Sequence, residues 1–172
     1  ENRIHGVINY FKTSPYLNKK MGMNQEKWEK YYKFCFIRNP YDRIVSAWNH
    51  VNRFNIPFKN FLNLKNTCND VEYMHMFMPQ YRSMINEKAK KYVDYIGFFE
   101  NLDEDFEKIL NNLGVKNIIH NTNSKLNVRI HKPYYEYYDQ ETLDKVNILM
   151  NEDFNNLENK KIENIEEFKN DI

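Results

Sequence analysis

The spacing of apolar side chains changes several times along the chain, and each change marks an element. Lys33-Phe34-Cys35-Phe36-Ile37 is a short, aromatic run that predicts a buried strand. Asn39-Pro40 ends it, because proline cannot donate within a central strand but suits the first position of a helix. Asn39 is a good N-cap, and Asp42 stands where it can reach back as an approximate capping box. Ile44, Ala47, Trp48 and Val51 then recur at helical spacing and predict a helix with one apolar face. Arg43, Ser46 and His50 share another face.

The same reading extends to both ends. Ile4 to Phe11 is apolar without a clean period, and Ser14-Pro15 and Met21-Gly22 read as loop. Asn24 caps a short helix that turns Trp28, Tyr31 and Tyr32 inward. Residues 53–69 read as irregular, packed down by Phe54, Phe58, Phe61 and Leu62. Residues 70–85 suggest a helix broken at Pro79, with Val71, Met74, Phe77 and Met78 as core. Tyr92 to Phe98 alternates and is rich in β-formers, which predicts a strand. Asn101 with Glu104 reads as a capping box opening a helix whose apolar face is Leu102, Phe106, Ile109, Leu110 and Leu113; Gly114 stops it. Val115 to His120 and Val128 to Ile130 suggest short extended segments around a polar loop. Asp139 caps a further helix, with Leu143, Val146, Met150 and Phe154 inward. In the charged tail 158–172, Ile162, Ile165 and Phe168 either dock a last helix or leave it frayed. Strands alternating with helices predict an α/β fold, and no repeat or linker divides residues 1–172, which read as one domain.

Composition narrows the function classes. A chain of 172 residues can build one core, and a formal net charge of +1 gives no global field toward nucleic acid or an anionic membrane. No apolar run is long enough to span a membrane, and no signal peptide is evident. The first residue is Glu1 rather than Met, which reads as a trimmed or processed piece. The two cysteines, Cys35 and Cys68, make neither a disulfide framework nor a zinc spacing, and Cys35 reads as a small buried apolar residue. The five histidines also lack partner spacing, so no metal is expected.

The sharpest chemistry lies where the first strand ends. A crevice between a strand's carboxyl end and a helix N-terminus is where α/β proteins bind phosphates. Arg38 supplies a rigid, permanently charged fork of donors, and Ser46 adds a neutral hydroxyl from the helix. Together they suit one terminal phosphate. The alternative is an Arg38 that pairs with Asp42 and a Ser46 that bonds back to its own helix.

Lys33 to Trp48, KFCFIRNPYDRIVSAW, closely resembles the 3′-phosphate-binding motif of sulfotransferases that use 3′-phosphoadenosine 5′-phosphosulfate (PAPS), including a Ser eight residues after the first Arg. Downstream, Pro79-Gln80, Asp94 to Leu102 with Asp105-Phe106, and Tyr137-Tyr138-Asp139 with Asp153-Phe154 are similar to stretches of carbohydrate sulfotransferases of the heparan and chondroitin type. The resemblance implies a P-loop-like three-layer fold, with a central parallel sheet flanked by helices. It implies PAPS as donor and a carbohydrate hydroxyl as acceptor. By the same resemblance Arg38 and Ser46 hold the 3′-phosphate, and Ser124 and Lys125 match a late segment that contacts the 3′-phosphate or ribose. His5, followed by apolar and aromatic residues upstream of Arg38, matches the general base, and histidine has a suitable pKa for it. Glu100 suits acceptor binding, a second base or a structural pairing with Arg or Lys; Arg43 suits a structural role or a secondary contact. No nucleic-acid partner is implied, and a membrane enters only through an anchor outside this chain. The compartment is the Golgi lumen for a eukaryotic carbohydrate enzyme and otherwise the cytoplasm.

The family also carries a first strand and a Lys-x-Gly-x-Ser/Thr loop for the 5′-phosphosulfate. None of Gly6, Gly22, Gly97 and Gly114 opens such a loop. The loop is therefore expected upstream of Glu1; the rival is a non-catalytic relative that binds or scaffolds. A kinase-like P-loop enzyme would need a Walker-type loop with an acidic Mg²⁺ motif, which is not seen.

Overall fold

The computed structural model describes residues 25–51, 55–64, 76–85, 91–115 and 132–170. In chain order the elements are α1 Gln25–Lys30, β1 Phe34–Ile37, α2 Pro40–Val51, α3 Phe58–Asn63, β2 Tyr95–Phe98, α4 Leu102–Asn112, α5 Gln140–Leu149, α6 Asn151–Asn156 and α7 Ile165–Asn170. Short 3-10 turns occupy Gln80–Met84, Phe99–Asn101 and Tyr134–Tyr137. The chain is a mixed α/β protein, mostly helical, whose β1 and β2 form a parallel pair. It forms two compact units, Glu1–Ile37 with Gln80–Ile118, and Arg38–Pro79 with Ile119–Ile172.

In the first unit the register sets Phe34 opposite Tyr95, Cys35 opposite Ile96, Phe36 opposite Gly97 and Ile37 opposite Phe98. Side chains alternate across the pleat, so Cys35 and Ile37 are buried while Phe34 is exposed. Burial pushes the Cys35 thiol up to about 11, which suits the small apolar residue read from the sequence. Asp94 clamps the entry to the pair: its Oδ2 accepts the Lys33 N–H at 2.7 Å and lies 3.1 Å from Lys33 Nζ. Gly97 is required by close approach, because a Cβ there would sit 2.6 Å from Phe36 Cε1. Asp105 stabilises the exit, accepting the Phe98 N–H at 2.6 Å, the Tyr95 hydroxyl at 2.9 Å and Lys108 Nζ at 2.7 Å.

In the second unit the core gathers around Tyr41, which is 1% exposed. Its ring lies 4.8 Å from that of Phe168, 5.1 Å from Phe154 and 5.8 Å from Tyr138, in tilted and edge-on arrangements favoured by ring quadrupoles. Ile44, Val45, Phe58, Phe61, Leu143, Val146 and Met150 complete the packing. Asp139 and Thr142 cap α5 reciprocally, Thr142 N–H to Asp139 Oδ1 at 2.8 Å and Asp139 N–H to Thr142 Oγ1 at 2.9 Å. The tail docks: Ile162 and Phe168 are buried, and α7 forms. Burying one such ring contributes about 1.5–3 kcal/mol, which holds a six-residue helix too short to persist alone.

Several local expectations change. The buried face of α2 is Tyr41, Ile44 and Val45, with Ala47 and Trp48 only partly covered. Positions 41, 44, 45 and 48 are the i, i+3, i+4, i+7 set, so the apolar stripe begins one turn earlier than expected. Residues 58–63 are helical rather than irregular, since Pro57 stands at the N-cap and Phe58, Phe61 and Leu62 form a buried face. Asn101 precedes α4 without capping it by its side chain, and Glu104 is exposed. The buried stripe of α4 is Asp105 and Ile109, while Leu102 and Leu113 are exposed. The cause is Asp105, whose three hydrogen bonds turn the helix so that this acid faces inward. Tyr31 is exposed instead of inward; Trp28 packs edge-on against Tyr92, with centroids 5.9 Å apart.

Candidate functional site

Arg38 is the residue after β1, and α2 begins two residues later. Asn39 makes this start possible. Its Oδ1 accepts the Tyr41 N–H at 2.9 Å and the Asp42 N–H at 3.4 Å, and its carbonyl accepts the Arg43 N–H at 2.9 Å. Pro40 has no N–H to offer. The first turn of α2 is therefore capped by Asn39, and an anion here depends on side chains more than on free helix amides.

Arg38 Nε donates to Asp42 Oδ2 at 2.6 Å, with side-chain exposures of 24% and 18%. Asp42 and Ser46 stand one helical turn apart on one strip of α2, because residues four apart stack on a helix surface. The contact with Asp42 thus holds the Arg38 head at the foot of the strip that carries Ser46. Ser46 is half-buried, and among the described residues no hydrogen bond ties its hydroxyl back to α2. Of the alternative raised by the sequence, the Arg38–Asp42 pair forms. His50 is exposed on the last turn of α2.

Arg43 points elsewhere. Its Nη1 approaches Met150 Sδ at 3.6 Å, and burial holds its pKa below the ordinary arginine value, partly offset by the Asp153 carboxylate. Asp153 is fully buried. Of the two roles expected of Arg43, these contacts are the structural one. Glu100 is exposed in the turn after β2 and belongs to the first unit, whereas Arg38 and Ser46 belong to the second. His5, Ser124 and Lys125 lie outside the described residues. Among the described residues no group of three or more His, Cys, Asp or Glu is arranged to hold a metal ion, and no helix is long and apolar enough to cross a membrane.

Other motif residues turn out to be structural. Tyr138 donates its hydroxyl to the Tyr41 carbonyl at 3.0 Å, Asp139 caps α5, and Phe154 packs on Tyr41. The role of Tyr41 was missed because it sits inside the Arg-Asn-Pro-Tyr-Asp-Arg motif; its place in the i, i+3, i+4, i+7 set was the available signal.

These features define an α/β protein in which a helix capped by Asn39 follows a strand of a parallel pair, with the Arg38–Asp42 ion pair at its start. The chain belongs to the sulfotransferase family, whose model matches residues 1–167. It is similar to an uncharacterized protein of Archaeoglobus fulgidus, 31% identical over 97 residues that cover 54% of this chain and 76% of the relative. No solved structure matches it significantly. Family membership supports sulfotransfer in general, with a sulfate donor and an acceptor as small-molecule substrates.

Proposed function

We propose that this protein is a PAPS-dependent sulfotransferase acting on a hydroxyl, with a carbohydrate as the acceptor class. The observation that carries the reading is Arg38, steadied by Asp42 at the foot of the strip that presents Ser46, in a chain matched to the family over most of its length. Arg38 and Ser46 bind the 3′-phosphate of the donor. A guanidinium matches phosphate oxygens through paired N–H donors, and a serine hydroxyl adds a third without adding charge. The 3′-phosphate separates PAPS from ordinary adenine nucleotides.

In this reading, the acceptor oxygen attacks sulfur as the bond from sulfur to the 5′-phosphate oxygen breaks. The hydroxyl proton passes to His5, and adenosine 3′,5′-bisphosphate leaves with the electron pair. Positioning and electrostatics supply most of the acceleration in such a displacement. Ser124 and Lys125 steady the 3′-phosphate and ribose, and Glu100 meets the acceptor. The P-loop-like three-layer architecture belongs to the same reading, and its parallel pair β1–β2 is one part of that sheet.

A second reading, a non-catalytic relative that binds the nucleotide, is favoured by the glycines: none of Gly6, Gly22, Gly97 and Gly114 lies in a Lys-x-Gly-x-Ser/Thr loop. Titration calorimetry with adenosine 3′,5′-bisphosphate tests the shared core of both. Wild type binds and Arg38→Ala loses at least about tenfold in affinity, the loss expected for a charge-assisted contact. Equal affinity overturns the site. Turnover of labelled PAPS with a panel of oligosaccharides separates enzyme from binder.

A further inference from the structure

We propose that Asp42 is a positioning residue that sets selectivity for the terminal phosphate, by locking the plane of the Arg38 guanidinium. The inference rests on the donor reading above and goes beyond it. A carboxylate beside an anion site costs affinity by repulsion, so its presence needs a reason. The geometry supplies one. Asp42 takes Nε, the donor nearest the arginine stem, at 2.6 Å. An arginine gripped at Nε can no longer rotate its planar head freely, and the orientation of its Nη edge is set before a ligand arrives. Asp42 is itself held on α2, whose first turn is fixed by Asn39, so the grip comes from a rigid element. Both side chains are mostly covered, so the pair is less screened than an exposed one.

The arrangement exchanges some attraction for direction. Without Asp42 the arginine keeps its charge but loses the grip on Nε, and its fork meets the phosphate in the right plane less often. Asp42→Ala therefore weakens binding of a ligand that carries the terminal phosphate and leaves a ligand without it unaffected. A simple Coulomb view predicts the opposite sign, because removing a negative charge beside the site favours an anion.

The experiment measures calorimetric affinities of wild type, Asp42→Ala, Asp42→Glu, Arg38→Ala and the Arg38→Ala/Asp42→Ala double variant. The ligands are adenosine 3′,5′-bisphosphate and adenosine 5′-monophosphate, with thermal melting of each protein alongside. Asp42→Ala loses about tenfold for the bisphosphate, the size of one well-placed charge-assisted contact, and less than about twofold for the monophosphate. Asp42→Glu recovers part of the loss. In the Arg38→Ala background, removing Asp42 costs nothing further, since there is no fork left to orient. A residue that merely supported the fold would weaken both ligands in proportion to the fall in melting temperature. That result, or unchanged or tighter bisphosphate binding by Asp42→Ala, overturns the proposal while leaving the donor site standing. Failure of Arg38→Ala to weaken the bisphosphate overturns the donor reading, and this inference with it.

Discussion

The hydroxyl of Tyr41 donates to Asn147 Oδ1 at 2.7 Å and accepts the Ile162 N–H at 2.9 Å. One phenol thus joins the second residue of α2, the buried face of α5 and the segment leading into α7. Asn147 completes the bridge by donating to the Ile162 carbonyl at 2.8 Å. Burial pushes the Tyr41 phenol up to about 12, against the lowering effect of the Ile162 N–H, so it stays protonated across the physiological range. Tyr41→Phe keeps the ring packing and removes the bridge. Leaving these buried partners unsatisfied costs about 1–3 kcal/mol. Urea unfolding reads the loss, and limited proteolysis should cut first within residues 158–170. An unchanged midpoint would show the bridge to be dispensable.

Gly97→Ala creates a Cβ 2.6 Å from Phe36 Cε1, 2.8 Å from Phe36 Cδ1 and 3.1 Å from Asp105 Cβ. The aromatic ring or the strand must shift, at about 1–3 kcal/mol. If the Phe36 ring is the obstacle, Phe36→Leu should recover part of that loss when combined with Gly97→Ala. The double-mutant cycle in chemical denaturation measures this coupling; strict additivity would place the clash elsewhere.

Asp105 predicts an acid-sensitive contribution. The Lys108 ammonium, then the Phe98 N–H, hold its carboxyl below the ordinary value of 3.8, against the opposing effect of burial. A carboxylate with a depressed folded pKa stabilises fully above its unfolded value and loses that contribution as pH falls through the folded one. Asp105→Asn should therefore be less stable than wild type at neutral pH, and the gap should narrow below about pH 3.8, where the unfolded carboxyl takes up protons before the native one does. Denaturation midpoints across pH test this. A gap that stays constant down to pH 2 would assign the effect of Asp105 to hydrogen bonding without charge.

His5→Ala separates binding from chemistry. In its proposed role as general base, His5 would contribute to proton removal and little to donor affinity, and such groups are worth about 10²–10⁴ in rate. The variant should bind adenosine 3′,5′-bisphosphate like wild type while turnover of PAPS falls by that order. Full turnover would remove His5 from the mechanism.

Much of the local structure was legible in the sequence, because short-range signals dominate there. The strand at Phe34–Ile37, the cap at Asn39, the break at Pro40 and the cap at Asp139 follow from backbone chemistry within a few residues. The misreadings share one cause. The Asn101–Glu104 pair, the outward Leu102 and Leu113 and the helix at Phe58–Asn63 were decided by contacts that local pattern does not record.

Sequence by itself determined the spacing of Arg38 and Ser46, the pair proposed to bind the phosphate, because eight residues across a capped helix start admit few arrangements. It determined the family as well, through the motif those residues anchor. Tertiary structure decided which motif residues serve as scaffold. Tyr41, Tyr138 and Asp153 became core, and Arg43 half-buried against Met150, because segments far away in sequence lie against them. Asp105 became the lock of the β1–β2 unit because its side chain meets the Phe98 backbone across a turn. Polar residue types alone do not distinguish these outcomes, since desolvation depends on what the rest of the chain brings alongside.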